Sequence, residues 1–176
     1  MIKTFLTKLV KLMINKKNLL VMWIRGVYVR LKSAECGKGL RVNGDTSVTI
    51  NTYIKDYVNF NGMKIYGTGK VYIGSYFHSG IECMIIADAH NYEGDKIPYD
   101  SLSIPKDVYI DDCVWIGSRV TILGGVHIGE GAIIQAGSTV VCDIPACAIA
   151  GGHPAKIFKY RDVKHFNELK KAGKFF

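Results

Sequence analysis

The sequence predicts an all-β solenoid flanked by helical ends, and two observations carry that reading. Ile110, Ile116, Ile122, Ile128, Ile134 and Val140 recur at intervals of six, and four residues after each stand Val114, Val120, Val126, Ala132, Ser138 and Ile144. From about residue 40, helical spacing disappears and glycine and β-branched residues take over; the 19 glycines follow no collagen period and form no linker.

A period of six fits neither a helix nor a hairpin meander. If each hexad makes one short strand and one turn, three hexads close one triangular coil. The leading aliphatic then points inward and stacks on its equivalents in the next coils. The small residue four positions on fills the corner, and successive coils pair as parallel strands about 4.8 Å apart. Glycine or a small polar residue is expected where the chain turns. Upstream the register is looser: Ile73 goes with Phe77 and Ile85 with Ala89, while Ile65, Val71 and Phe77 again stand six apart. The interval from Ile85 to Ile110 is one longer than a multiple of six, which places an insertion between them.

The ends read differently. Ile2, Phe5, Leu6, Leu9 and Met13 have helical spacing, and Asn15-Lys16-Lys17-Asn18 is expected to break that helix. A second stretch, 18–32, sets Leu19, Met22, Trp23, Val27 and Leu31 on one side. It reads either as a cap packed on the solenoid or as a basic amphipathic element on an anionic membrane surface. The expected organisation is a basic helical segment 1–35, a solenoid domain 36–160 with a loop insertion 91–107, and a helical tail 161–176.

Charge follows the same division. Residues 1–32 carry eight basic groups and no acid, residues 33–155 carry 8 basic and 13 acidic groups, and residues 156–176 carry 7 basic and 2 acidic. A mildly acidic body between basic ends argues against a general nucleic-acid binder and favours local anion recognition. The five cysteines are odd in number and have no zinc or disulfide spacing, so a reducing, cytoplasmic home is expected. The longest apolar run near the N-terminus, Leu19–Ile24, is too short for a membrane span or a signal-peptide core.

His90 is the leading chemical candidate. It ends Ile-Ile-Ala-Asp-Ala-His (85–90), where the register breaks and a polar loop with two prolines begins. Function concentrates on loops held by rigid scaffolds, and histidine titrates near neutral pH, as a general base must. Asp88, two residues earlier on the same strand face, can orient the imidazole. Glu82, His78 and Asn91 are candidate contacts for acceptor hydroxyls; a solvated corner or loop is the plainer account of each. Trp115, next to an inward-facing valine, must point outward and needs a cover. The γ-class carbonic anhydrases, which the expected fold resembles, carry two histidines five apart; no such pair exists here, so the resemblance implies no metal site.

Six hexads in register, VWIGSRVTILGGVHIG at 114–129, IIQAGSTVV at 133–141 and AGGHPAKI at 150–157 together resemble the left-handed β-helix acyltransferases. The likeness is greatest to sugar and polysaccharide O-acetyltransferases of the maltose and galactoside acetyltransferase kind, and covers roughly residues 60–160. The resemblance implies a left-handed parallel β-helix, a homotrimer, acetyl-CoA as donor and a sugar or polysaccharide precursor as acceptor. By the same resemblance, His90 takes the acceptor proton and Trp115 lines the place where thioester and acceptor meet. Gly117, Ser118, Ala136 and Gly137 would flank the pantetheine arm, with a backbone N–H near Ser118 as oxyanion donor, and Lys156, Lys159 and Arg161 would meet the CoA phosphates. Val141 and Cys142 depart from the family, which often carries a lysine there. Other readings are N-acetylation of an amino sugar on a nucleotide carrier, a serine-acetyltransferase-like enzyme and a non-catalytic scaffold; the register break at His90 argues against the scaffold.

Overall fold

A computed structural model describes residues 2–176, with side chains described from residue 16. Helix α1, Ile2–Lys32, leads into a left-handed parallel β-helix, and helix α2, Val163–Lys171, follows it. The strands form three faces. The first holds 35–36, 52–54, 71–73, 108–110 and 127–128; the second begins 41–42, 59–60, 78–79, 115–116, 133–134 and 148–151; the third holds 63–66, 83–86, 121–123 and 139–140. Strand Lys156–Tyr160 turns back antiparallel on 148–151 and closes the open edge of the second face.

The hexad reading survives in detail. Ile110, Ile116, Ile122, Ile128, Ile134 and Val140 are all buried, as are Val114, Val120, Val126, Ala132, Ser138 and Ile144. Ile110 pairs with Ile128, Ile116 with Ile134 and Ile122 with Val140, so each pair is separated by one coil of three hexads. Each pair stacks one aliphatic side chain on another along the axis, while backbone N–H groups bond the next coil's carbonyls.

Upstream, the structure corrects the register. Ile73 pairs with Ile110 and Ile85 with Ile122. Ile65, Val71 and Phe77 are buried but not equivalent: Ile65 pairs with Ile85, whereas Val71 pairs with Val108, two positions before Ile110. Ala89 does not fill a corner, because the chain has already left the coil; Ala87 is the buried small residue. The step from Ile110 to Ile128 is one regular coil, whereas the step from Ile73 to Ile110 is more than twice as long. The excess, slightly more than a coil's length of chain, is the insertion.

Corners also depart from the glycine expectation. At the turn from first to second face, Gly39, Tyr57, Tyr76, Cys113, Gly131 and Cys147 all take positive φ. A side chain there costs roughly 1–2 kcal/mol, yet each of these four non-glycine residues donates its N–H to a carbonyl of the preceding coil. Gly131 has a separate reason to lack a side chain: a Cβ would meet the Phe166 ring at 2.7 Å. On the first face Tyr53, Tyr72 and Tyr109 stack in a ladder with centroids 4.8 and 5.0 Å apart.

The N-terminal expectation of two helices is also corrected. α1 runs unbroken through Asn15–Asn18, because lysine is a good helix former and asparagine costs only a fraction of a kcal/mol there. The side chains of the 2–13 pattern lie outside the described residues. Further along, the capping face is not the predicted one: Val29 is fully buried against the first coil, while Trp23 and Leu31 are exposed. Arg25 donates to the Asn43 carbonyl at 2.7 Å and Arg30 to the Gly37 carbonyl at 2.9 Å, fastening the cap. α2 begins as its sequence dictates, with the Asp162 carboxylate accepting from the His165 N–H at 3.0 Å.

Ile122→Ala removes a mid-stack side chain with coils on both sides. Urea unfolding is expected to show a loss of about 2–5 kcal/mol, whereas Thr121→Ala, on the outer face, should stay within about 0.5 kcal/mol.

Candidate active site

The inserted chain leaves the solenoid where the third face turns to the first. Asp88–His90 pairs antiparallel with Ser103–Pro105, making a two-stranded stem that carries His90 out of the body. The Asn91 side-chain amide donates to Asp100 at 2.7 Å, and Asp100 in turn accepts from the Leu102 N–H at 2.8 Å. Asn91 therefore ties the loop together. The His90 ring stacks on Tyr99, centroids 3.9 Å apart and planes 8° from parallel. Tyr99 lies across an irregular loop, and no sequence period points to it. The Asp88 carboxylate accepts from the Ser103 hydroxyl at 2.9 Å and abuts Gly67 rather than the imidazole. Within this chain Tyr99, not Asp88, sets the ring's plane. Beyond the stem, Tyr92, Ile97 and Leu102 stand exposed.

Trp115 lies on the second face, in register with His78 and Asn59. It is half exposed and lines a cavity of about 410 Å³ together with His78, Tyr76, Arg161 and Phe166. The Asn61 side-chain amide donates to His78 Nε2 at 3.0 Å, which requires that nitrogen to be unprotonated. Burial pushes the His78 pKa below the ordinary histidine value in the same direction. Phe175 stacks on Tyr76 at 4.0 Å, so the tail after α2 walls one side of the cavity.

The turn from second to third face holds the remaining small residues. Gly117 packs so close that a Cβ would meet the Ala136 nitrogen at 2.5 Å. Gly137 has φ +73 and open space where a side chain would stand. The Ser118 hydroxyl accepts from the Ile81 N–H at 3.3 Å and the Ser118 carbonyl from the Gly137 N–H at 2.8 Å, but the Ser118 N–H has no acceptor among the described residues. Glu82 sits on the same turn and accepts from Arg119 Nε at 2.7 Å, one coil on. Lys156 pairs with Gly151 at this end of the second face, and Lys159 lies further along the same exposed strand. Arg161 is at the opposite end, its guanidinium 5.4 Å from the Phe166 ring centre and its Nε buried without a partner. The structure therefore gathers Gly117, Ser118, Ala136, Gly137 and Lys156 at one corner. It places Arg161 with Trp115 and His78, and His90 at another corner with no described contact to either group.

Residues 107–142 match the family description "Bacterial transferase hexapeptide (six repeats)". These residues carry the hexapeptide repeat that the family description names. The chain is similar to a galactoside O-acetyltransferase of Lactococcus lactis, 31% identical over 115 residues that cover 57% of this chain and 55% of that protein. It is also similar to a 2,3,4,5-tetrahydropyridine-2,6-dicarboxylate N-acetyltransferase of Clostridium perfringens, 51% identical over 55 residues, covering 31% of this chain and 23% of that protein. The match thus spans about half of the first relative and a quarter of the second. A hexapeptide-repeat acetyltransferase of Vibrio cholerae, crystallised with acetyl coenzyme A, superposes with a TM-score of 0.65 at 26% identity, covering 74% of this chain and 73% of that one. Among the described residues, no group of three His, Cys, Asp or Glu side chains is placed to hold a metal ion, and no helix is long and apolar enough to cross a membrane.

The lowered His78 pKa has a stability consequence. Between the folded and unfolded values the unfolded chain binds more protons, so stability falls as pH drops below about 6.5. Urea midpoints at pH 7.5 and 5.5 should differ less in His78→Gln than in the wild type.

Proposed function

We propose that this protein moves an acetyl group from acetyl-CoA to a hydroxyl of a sugar or polysaccharide precursor. The observation that carries the proposal is His90, lifted from the solenoid on a paired stem at the one long break in the coil register. The donor assignment is supported by the likeness to the acetyl-CoA-bound Vibrio protein and to the Lactococcus galactoside O-acetyltransferase.

In this reading the thioester lies along Gly117, Ser118, Ala136 and Gly137, where the open space at Gly137 lets the pantetheine arm approach the backbone. Lys156 and Lys159 face the CoA phosphates on the exposed closing strand. His90 takes the proton as the acceptor oxygen attacks the thioester carbonyl. The unpaired Ser118 N–H holds the tetrahedral oxyanion. The C–S bond then breaks and the CoA thiolate departs. Asn59, His78 and Trp115 offer a mixed polar and aromatic wall for an acceptor. A covalent cysteine route is disfavoured at four of the five cysteines: burial pushes the thiol pKa up at Cys36, Cys83, Cys113 and Cys147, keeping each protonated.

Placing His90 and Ser118 at different corners calls for a second copy of the chain, in which the stem of one subunit reaches the Ser118 corner of its neighbour within a homotrimer. The exposed Tyr92, Ile97 and Leu102 on the loop are apolar surface that such a neighbour would cover. N-acetylation by the same machinery is the second reading, favoured by the 51% identity to the Clostridium N-acetyltransferase.

His90→Ala leaves every inward position intact. Steady-state kinetics with a responding sugar acceptor should show kcat reduced by roughly 10²–10⁴, with CoA affinity by calorimetry nearly unchanged; retention of more than about a tenth of the turnover contradicts the assignment. Light scattering should give three times the 19.5 kDa chain mass, and a stable monomer at micromolar concentration would exclude the shared site.

A further inference from the structure

α1 has two apolar faces, and the solenoid uses one of them. Val29 is fully buried on the first coil, and Arg25 and Arg30 are bonded to carbonyls of that coil. On the opposite side Leu20, Ile24, Val27 and Leu31 follow one another at four-three-four spacing. Leu20 is 57% exposed, Ile24 52% and Leu31 82%, and Val27 is half-buried. Trp23 (66% exposed) and Tyr28 flank this stripe. No part of the chain covers it among the described residues. An apolar stripe of this length left in water is unusual for a surface helix.

The charges around the stripe say what would cover it. Residues 1–32 contain eight basic side chains and no acid, while the body at 33–155 is net acidic. Lys16, Lys17 and Lys32 are exposed and enter no described ion pair. Packing this stripe against the same stripe of a second copy would bring two all-basic helices together without a single carboxylate between them. An anionic bilayer instead accepts both features: leucine and isoleucine enter the acyl boundary, tryptophan and tyrosine sit at headgroup level, and the lysines meet phosphate or carboxylate headgroups. Among the described residues no helix is long and apolar enough to cross the bilayer.

We infer that α1 docks this protein on an anionic lipid surface, lying in the plane of the interface with Leu20, Ile24, Val27 and Leu31 buried and the solenoid held off the membrane by the Val29 face. The inference is independent of which group the protein transfers, since no residue of α1 belongs to the proposed active site.

The test is co-sedimentation of the full chain with large vesicles of phosphatidylcholine alone and of phosphatidylcholine containing a third phosphatidylserine. Binding is expected to the anionic vesicles only, and to fall steeply as salt rises from about 0.05 to 0.5 M. Ile24→Glu/Leu31→Glu should reduce the partition coefficient at least tenfold while the light-scattering mass and thermal midpoint stay as in the wild type. Should that variant melt early, Lys16→Gln/Lys17→Gln, which leaves all apolar side chains in place, reads the same surface: each lost cation should weaken binding about fivefold. Equal binding to neutral vesicles, wild-type binding by the folded variants, or a drop in oligomeric mass with Ile24→Glu/Leu31→Glu would overturn the inference. The last result would mean that copies of the chain cover the stripe.

Discussion

Each coil must offer an inward aliphatic column and an outward set of backbone bonds to the coils on either side, and the rest of the molecule is arranged around that requirement. The columns Ile73–Ile110–Ile128 and Ile65–Ile85–Ile122–Val140 are buried and continuous, whereas the second-face column sets the buried Ser79 between Phe60 and Ile116. A stack of this kind has no natural end, so both ends need covers. α1 covers one with Val29. At the other, the column narrows from Ile134 to Ala150, and the antiparallel strand Lys156–Tyr160 occupies the free edge. Chain that is not needed for the stack can leave only at corners, which is where the His90 stem departs.

That restriction shapes the chemistry. Because inward positions are filled and ladder positions are bonded, reactive groups are confined to turns and outer faces. His90 is at one turn, Ser118 at a second, and Trp115 and His78 are on the second face. No side-chain rearrangement inside a single rigid prism can unite them. The division of labour between corners follows from rigidity, and it makes assembly of copies part of the proposed catalytic arrangement. The same rigidity explains why Arg161 does not join Lys156: the extended strand Lys156–Tyr160 separates them along the second face.

The portion of the fold repeating every six residues was legible, because burial there depends on side-chain type alone. The stretch before residue 60 went unread although Val42, Val48, Ile54 and Phe60 stand six apart and are all buried, because two of the buried residues four positions on, Thr46 and Thr52, are polar and do not read as core. Val71 showed how a six-residue interval can mislead: it is buried, yet it stands two positions out of phase with Ile110. For the candidate site, the register break was enough to single out His90 as the leading candidate. The identity of its neighbour was not, because Tyr99 reaches the ring through loop geometry and Ser103 claims Asp88 across a strand pair that has no hexad signature. The face by which helix α1 caps the solenoid was misread for a physical reason. A helix with apolar residues on both sides has two possible buried faces, and composition does not choose between them.

The long step from Ile73 to Ile110 also bears on how such a protein diversifies. On either side of the stem, Ile73 meets Ile110 and Ile85 meets Ile122 as though nothing had been inserted. Interactions in a stack of coils run only between nearest neighbours, so the excursion is energetically sealed from the prism that carries it. Its length and sequence can drift while the ladder beneath is held by its own packing. The scaffold thereby separates what keeps the coils stacked from the loop that carries His90, and each can be altered without renegotiating the other.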